Sequence, residues 1–379
     1  MVFSHRVKKI LLITFEYPTG RNYCGGVGQI VKQSREALVE LGYEVYVLIS
    51  DQFQKKYPVQ LIGPENSISD YESFSEFQRE HHFRGFDLII QHFVNWTRDL
   101  RALKSRKGKR PKIIYHFHSI LRREKESGFK TFNKFLLNQE KMIEIADQII
   151  CPSKYEYDNF NRYFPYYSDK LELVENTFEV FSYKKDEIND IRKEYGIREK
   201  DIVSIYIGRL ERAKGAHTLI ENLPDILKKG RKHKMFVVGK PTDRKIYRKL
   251  MSIRKRHPEQ LFYIKYLEKE LLFQYYYLSH IYINTSLSES FSLSTYEGAY
   301  CRNALLLNNL PVYDRFHGRA LFFSNRGNED GSFLSQYECL SRDRDLKEKL
   351  SKRACSTARR FIKERSLKKD LLKILNGQG

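Results

Sequence analysis

No stretch of this chain approaches the ~18 consecutive apolar residues of a membrane-spanning helix. The apolar run behind Lys8 and Lys9 is too short for the core of a secretory signal. A chain that neither crosses a membrane nor is exported is the expectation. Cysteine is scarce and scattered. Cys24, Cys151, Cys301, Cys339 and Cys355 are odd in number and form no CxxC, the usage of reduced thiols in a cytoplasmic protein. Zinc-finger, helix-turn-helix and RNP patterns are missing, which argues against nucleic acid as a partner. Acidic residues are in deficit: 47 against 68 Lys and Arg, a formal net charge of +21.

What is present is a globular composition. The 379 residues are 41% apolar and 30% charged, enough for two domains with cores of their own. The basic excess gathers in two runs, RALKSRKGKRPK (101–112) and DRKIYRKLMSIRKRH (243–257), each with seven Lys or Arg. Such runs attract phospholipid head groups, anionic polymers or nucleotides; a solvated face is the equal alternative.

Strand-type and helix-type segments alternate. VKKILLITF (7–15), YEVYVLIS (43–50), FDLIIQHF (86–93), KIIYHFHS (112–119) and DQIICPS (147–153) read as strands. Helical spacing appears over 27–42 and near 130–146. The pattern restarts after about residue 200 with strands at 201–210, 234–240, 260–267 and 280–286 and a helix over 216–230. The charged stretch 182–200 reads as the boundary, and the tail from about Arg342 as a basic amphipathic helix. Alternation of this kind predicts two Rossmann-like α/β halves with parallel sheets, whose ligands bind outside the carboxyl ends of the strands.

The segments after the strands therefore carry the functional reading. After the first comes EYPTGRNYCGGVGQ, where Gly25, Gly26 and Gly28 allow close backbone approach at a helix start; taken alone, a plain turn is the favoured explanation. His116 and His118 lie on one strand face, either as a pair with a role or as packing. GRLERAKGAHTL places Arg209 and Lys214 ahead of a helix, a diphosphate clamp or two ordinary surface cations. SESFSLSTYEGA (288–299) sets Glu289 and Glu297 eight positions apart around a turn that starts a helix. Carboxylates suit paired hydroxyls of a sugar or ribose, and helix-start N–H groups suit a phosphate. A nucleotide-sugar fits all three.

In this order and spacing the segments resemble glycosyltransferase family 4, the retaining nucleotide-sugar transferases of the GT-B fold. The resemblance covers nearly the whole chain. It rests on the opening strand, glycine loop and helix, on ADQIICPSKYEYDNF and LELVENTF, on YIGRLERAKGAHTLIENL, and on the E-x7-E motif in HIYINTSLSESFSLSTYEGA. It implies an N-terminal acceptor domain (1–180) and a C-terminal donor domain (181–360) facing across a cleft, with a last helix (361–379) packing back on the first. By position, Glu289 would bind the donor sugar and Glu297 the ribose. Backbone N–H groups around Phe291, Ser292 and Leu293 would hold sugar and phosphate. Arg209 and Lys214 would neutralise the diphosphate, which Gly26 would approach. Lys265 and Tyr266 would lie by the base. Gly25, Gly28 and His118 would serve the acceptor side, with His118 near the reacting sugar and His116 as packing. Ser290 and Ser292 replace the glycines usual in the turn, Lys265 stands where glycine is common, and YCRNALLLNNLPVYD (300–314) departs from the usual run.

The implied activity is transfer of a hexose, from a UDP-sugar rather than a GDP- or ADP-sugar, to a hydroxyl acceptor. A glycan, a glycolipid or a cell-surface polymer is the expected acceptor, with an anionic or lipid-linked acceptor and work at the inner face of the cell membrane as open options for a cytoplasmic protein. No metal and no cofactor are expected beyond the donor; the one DxD, Asp343–Asp345, falls in the helical tail. A weak nucleotide-sugar-binding relative and a synthase or phosphorylase with a small soluble acceptor are the alternatives, as is an anion-binding protein whose basic runs are its purpose.

Overall fold

The computed structural model describes residues 8–19, 24–50, 59–94, 96–105, 107–108, 110–129, 131–324 and 331–376. They fall into two compact units. One takes Met1–Thr177 and Ser366–Gly379, the other Phe178–Arg365.

The first unit is built on eight strands: β1 (Lys9–Thr14), β2 (Glu44–Ser50), β3 (Val59–Ile62), β4 (Ile68–Tyr71), β5 (Leu88–Gln91), β6 (Lys112–His116), β7 (Gln148–Cys151) and β8 (Leu171–Leu173). Their order is β4-β3-β2-β1-β5-β6-β7-β8. All neighbours are parallel except β2–β3 and β3–β4, which are antiparallel. The central strands are near-continuous apolar runs because both faces are covered. Leu11, Ile13, Ile89 and Tyr115 point into one core, and Ile10, Leu12, Ile90 and Ile114 into the other. The helix Leu367–Leu375 adds Leu371 and Ile374 to this second core, and Lys368 pairs with Glu40 at 2.8 Å.

The second unit holds β9 (Ile202–Ile207), β10 (His233–Val238), β11 (Leu261–Ile264), β12 (Ile281–Asn284), β13 (Ala304–Asn308) and β14 (Leu321–Phe323), all parallel, in the order β11-β10-β9-β12-β13-β14. Val203, Ile205 and Phe236 face one layer of helices; Tyr206, Met235 and Val237 face the other.

The strand orders locate the switch points, where connections leave in opposite directions and open α/β sheets take their ligands. In the first sheet this is the β1/β5 border, in the second the β9/β12 border. The charged segment 182–200 is not the border of the units: the change falls at Thr177, and Lys185–Glu194 is a helix inside the second unit. The departure at 300–314 proves to contain β13, whose five residues are all buried.

Candidate functional site

The β9/β12 switch point brings together residues 75 positions apart in the chain. After β9 the loop 208–215 returns over the end of β12. Tyr206 donates its hydroxyl to the Lys214 carbonyl (3.0 Å), Thr285 donates to the Gly215 carbonyl (2.9 Å), and Leu287 N–H bonds Ala213 O (3.0 Å). Gly215 makes this approach feasible. Its φ is +63°, and a Cβ there would lie 1.6 Å from the Thr285 carbonyl oxygen.

Lys214 and Glu289 meet on this scaffold. Lys214 Nζ donates to Glu289 Oε1 at 2.9 Å, and Ser286 Oγ donates to the same oxygen at 2.7 Å. Both side chains are mostly covered, at 27% and 10% exposure. Arg209 is half exposed and bonds Glu211 through Nη2 at 3.0 Å. Each cation expected to meet a diphosphate thus already faces a carboxylate.

Ser288 to Ser292 form the turn, and the helix Leu293–Tyr300 follows. Phe291 is buried and stacks on Tyr296 (centroids 4.6 Å, 5° between planes), which anchors the turn in the core. Ser292 adopts the left-handed conformation (φ 69°, ψ 73°) that favours glycine. Its hydroxyl lies 2.9 Å from Thr295 Oγ1 and accepts from Asn284 Nδ2 at 3.1 Å. These bonds offset the strain of a non-glycine residue there. The side chain does not cap the helix; Thr295 N–H bonds the Ser292 carbonyl at 3.1 Å, which leaves the N–H groups of Leu293 and Ser294 without an intrahelical partner. An anion is the natural occupant.

Glu297 lies on the same helix but differs from its expectation. It is 1% exposed, and both its oxygens are engaged: Lys269 Nζ donates to Oε1, and Tyr276 donates its hydroxyl to Oε2 at 3.0 Å. A carboxylate has about four lone-pair positions, which leaves two for other donors. Sequence reasoning missed Lys269 and Tyr276 altogether. Lys265 and Tyr266 are exposed in the loop after β11, and that loop leads into the helix Lys269–Leu278.

At the first unit's switch point the glycine loop opens the helix Gly26–Glu40. Gly28 is packed so closely that a Cβ would lie 2.4 Å from Cys24 Sγ. Gly25 and Gly28 donate their N–H groups to the two oxygens of Glu16, at 3.2 and 3.0 Å. Sequence reading left these groups open to a ligand; an acid nine residues upstream of Gly25 reaches back to them.

Past β5 and β6 lie three histidines. His116 and His118 stack (4.8 Å), and His92, which the sequence reading does not single out, lies nearly parallel to His118 and tilted by 43° against His116. Burial pushes all three down, His118 to about 3; the neighbouring rings add to the effect on His92 and His116. All three are neutral at pH 7.

Asp343 of the DxD caps the helix Arg344–Glu364 through Leu346 N–H (2.8 Å). Among the described residues no group of three or more His, Cys, Asp or Glu is placed to hold a metal ion, and no helix is long and apolar enough to cross a membrane. None of the five cysteines forms a disulfide. The two basic runs differ. In 101–112, Arg110 grips both oxygens of Asp147 (2.7 and 2.8 Å), Lys104 bonds the Ile145 carbonyl (2.7 Å) and Lys112 bonds Gln148 (2.8 Å). Arg106 and Lys109 lie outside the described residues. On the helix Arg244–Arg256 all seven cations are exposed, and among the described residues none is paired with an acid.

Comparison with known proteins agrees with this geometry. Residues 24–180 match the model described as Glycosyltransferase Family 4, and residues 187–353 that of Glycosyl transferases group 1. Alpha-monoglucosyldiacylglycerol synthase of Acholeplasma laidlawii is 23% identical over 332 residues, 80% of this chain and 82% of the relative. Sucrose-phosphate synthase from Thermosynechococcus elongatus superposes with a TM-score of 0.78 at 15% identity, over 98% of this chain and 99% of that one. HepE of Anabaena in complex with UDP-glucose gives 0.71 at 15% identity, over 98% and 100%. With both halves matched in sequence and the whole matched in fold, the chain belongs to the family 4 type of glycosyltransferases and has their GT-B fold.

Proposed function

We propose that this enzyme is a retaining hexosyltransferase that uses UDP-glucose and passes the sugar to a hydroxyl of a membrane lipid or lipid-linked glycan. The observation that carries the reading is the β9/β12 switch point: two lysine-paired carboxylates eight residues apart flank a helix start with N–H groups to offer.

In this reading Glu289 accepts from the sugar hydroxyls, and the remaining lone pairs of Glu297 accept from the ribose. Lys265 and Tyr266 sit by the base. N–H groups from Phe291 to Leu293 take the phosphates. When the sugar–phosphate bond breaks, charge builds on the departing diphosphate. Lys214 and Arg209 then turn from Glu289 and Glu211 towards it, so preorganised cations meet the charge without a metal. The acceptor oxygen bonds the anomeric carbon on the face the diphosphate leaves, and its proton passes to a diphosphate oxygen. His118 hydrogen-bonds the reacting sugar, Gly26 approaches the diphosphate, and Gly25 and Gly28 shape the acceptor side.

The relatives support this choice of donor and acceptor: one is an alpha-monoglucosyldiacylglycerol synthase, and HepE is in complex with UDP-glucose. So does the surface. Phe132 and Leu137 are 70% and 54% exposed at the helix Asn133–Ile145, and Lys134 and Lys141 share the face of Leu137. Apolar tips among lysines suit an anionic bilayer surface. The test is incubation with UDP-glucose and vesicles of diacylglycerol and phosphatidylglycerol, with EDTA present, and NMR of the product. An α-glucosyl lipid is expected. A β-linked product overturns retention, and UDP-glucose binding with no product identifies a binding relative instead.

A further inference from the structure

The β1/β5 switch point holds a side chain that the proposed reaction leaves without a role. His92 is the first residue past β5, and its backbone N–H continues the sheet by bonding Ile13 O at 2.8 Å. Its ring lies nearly parallel to that of His118 (centroids 5.4 Å, 18°), and His92 Nδ1 and His118 Nε2 are 3.1 Å apart. His116 packs against both rings, at 4.9 and 4.8 Å. His92 and His116 are 1% and 2% exposed, and the Nε2 of each is buried without a hydrogen-bond partner.

A contact of 3.1 Å between two ring nitrogens needs one proton, because two would repel and none would oppose two lone pairs. The titratable groups that act on these rings are the rings themselves; among the described residues no carboxylate or cation contributes. The pair therefore stays neutral and shares one proton. Which ring owns it follows from the far side of His92. A proton on Nε2 would bury an N–H with no acceptor, which folded proteins avoid more strongly than a bare lone pair. His92 accordingly carries its proton on Nδ1 and donates it to His118 Nε2. His118 must then carry its own proton on Nδ1, the nitrogen that does not face His92. Parallel rings of this kind do not converge their lone pairs on a metal ion.

We propose that His92 is a positioning residue for His118: through the Nδ1–Nε2 hydrogen bond it fixes the ring and its tautomer, so that His118 presents an Nδ1–H donor to an oxygen of the reacting sugar. The proposal rests on the reading that His118 works at that sugar. Its test has an arm that does not. In the full chain labelled with 15N-histidine, imidazole nitrogen shifts are recorded for wild type, His92→Asn and His92→Leu, and the His118 signals are assigned by their loss in His118→Asn. The wild type is expected to show His118 protonated on Nδ1 alone. An Nε2–H or rapidly averaged His118 overturns the proposal without any variant at His92.

UDP release from UDP-glucose supplies the second arm. His92→Leu is expected to lower kcat by about tenfold or more with KM within about threefold, since small misplacements of reacting groups act on the chemical step. His92→Asn keeps a donor near the Nδ1 position and is expected to restore both the tautomer and most of kcat. Equal losses in the two variants, or a change in KM alone, overturn the positioning role. A wild type that releases no UDP overturns the donor reading, while the nitrogen shifts still decide the role of His92.

Discussion

At the second unit's switch point Lys214, Glu289, Lys269 and Glu297 each sit beside an opposite charge, whereas at the first unit's three neutral imidazoles pack together and, among the described residues, no acid or cation acts on them. The contrast follows the two tasks proposed. A leaving diphosphate gains charge during the reaction, so its half needs cations stored in place, and a stored cation in a covered site needs a counter-ion until the substrate arrives. A sugar and an acceptor hydroxyl are neutral, so the other half needs directed hydrogen bonds, for which a ring that stays neutral is better suited than one that titrates near pH 7.

The largest effect should come from the stored cations. Lys214→Ala is expected to lower UDP release from UDP-glucose by on the order of 100-fold or more, as loss of one preorganised donor does elsewhere. The thermal transition should show the protein still folded. Arg209→Ala, at a half-exposed residue, should cost less, and a wild-type rate in Lys214→Ala would dissolve the comparison.

Lys269 separates storage from support. Its partner Glu297 is almost fully buried, so Lys269→Met should destabilise the second unit by about 3 kcal/mol, the lower end of what an orphaned buried charge costs. Urea unfolding measures it. Lys269→Met paired with Glu297→Gln should recover much of the loss; a double variant no better than the single one would show that the pair contributes little.

Acid should act on the buried imidazoles, the three here together with His233 and His280 of the second unit, which burial pushes down to about 4. Their lowered values mean that the unfolded chain binds protons first as pH falls, so stability is complete above about 6.5 and is lost below it. Each buried histidine should cost about 1 kcal/mol between pH 6.5 and 5.5. His116→Phe should therefore lose about 1 kcal/mol less over that interval than wild type does. Identical losses in the two proteins would place the proton uptake elsewhere.

The smallest effect concerns the basic runs. Arg110 and Lys104 hold Asp147 below the ordinary carboxylate range, against the upward push of burial, so these cations serve the fold. Replacing Arg248, Lys249 and Arg254 with Gln should weaken flotation with anionic vesicles by a few-fold, about 0.8 kcal/mol in all and well below the ~1 kcal/mol per charge of a segment lying fully on the surface. Replacing Arg110 should instead lower stability. Equal flotation of wild type and the triple variant would remove the helix Arg244–Arg256 from any membrane role.

The buried parallel strands were legible because their apolar runs have no other use, and Glu289 and Lys214 because a turn or loop just past such a strand is where a ligand binds. The elements missed are short or mixed. β4 exposes three of its four residues, so its pattern reads as loop, and β14 has only three residues. The partners of the site were hidden for a different reason. Lys269 stands 28 residues before Glu297, and no spacing rule joins them; only the packing of helix on helix does. His92 was within reach: the strand was carried through Phe93, and ending it at Gln91 would have set His92 at the switch point. Glu16 lies in the glycine segment itself, but its return to Gly25 and Gly28 depends on a loop path that composition does not encode.

The most direct measurement is calorimetric titration of UDP-glucose, GDP-glucose and ADP-glucose into the wild-type chain and Lys214→Ala, with thermal unfolding of the same samples. The account predicts saturable binding of UDP-glucose in preference to the other two, a gain of about 2.7 kcal/mol in stability at 100 times the dissociation constant, and weaker binding in the variant. No binding of any of the three, or equal binding by wild type and Lys214→Ala, would contradict it.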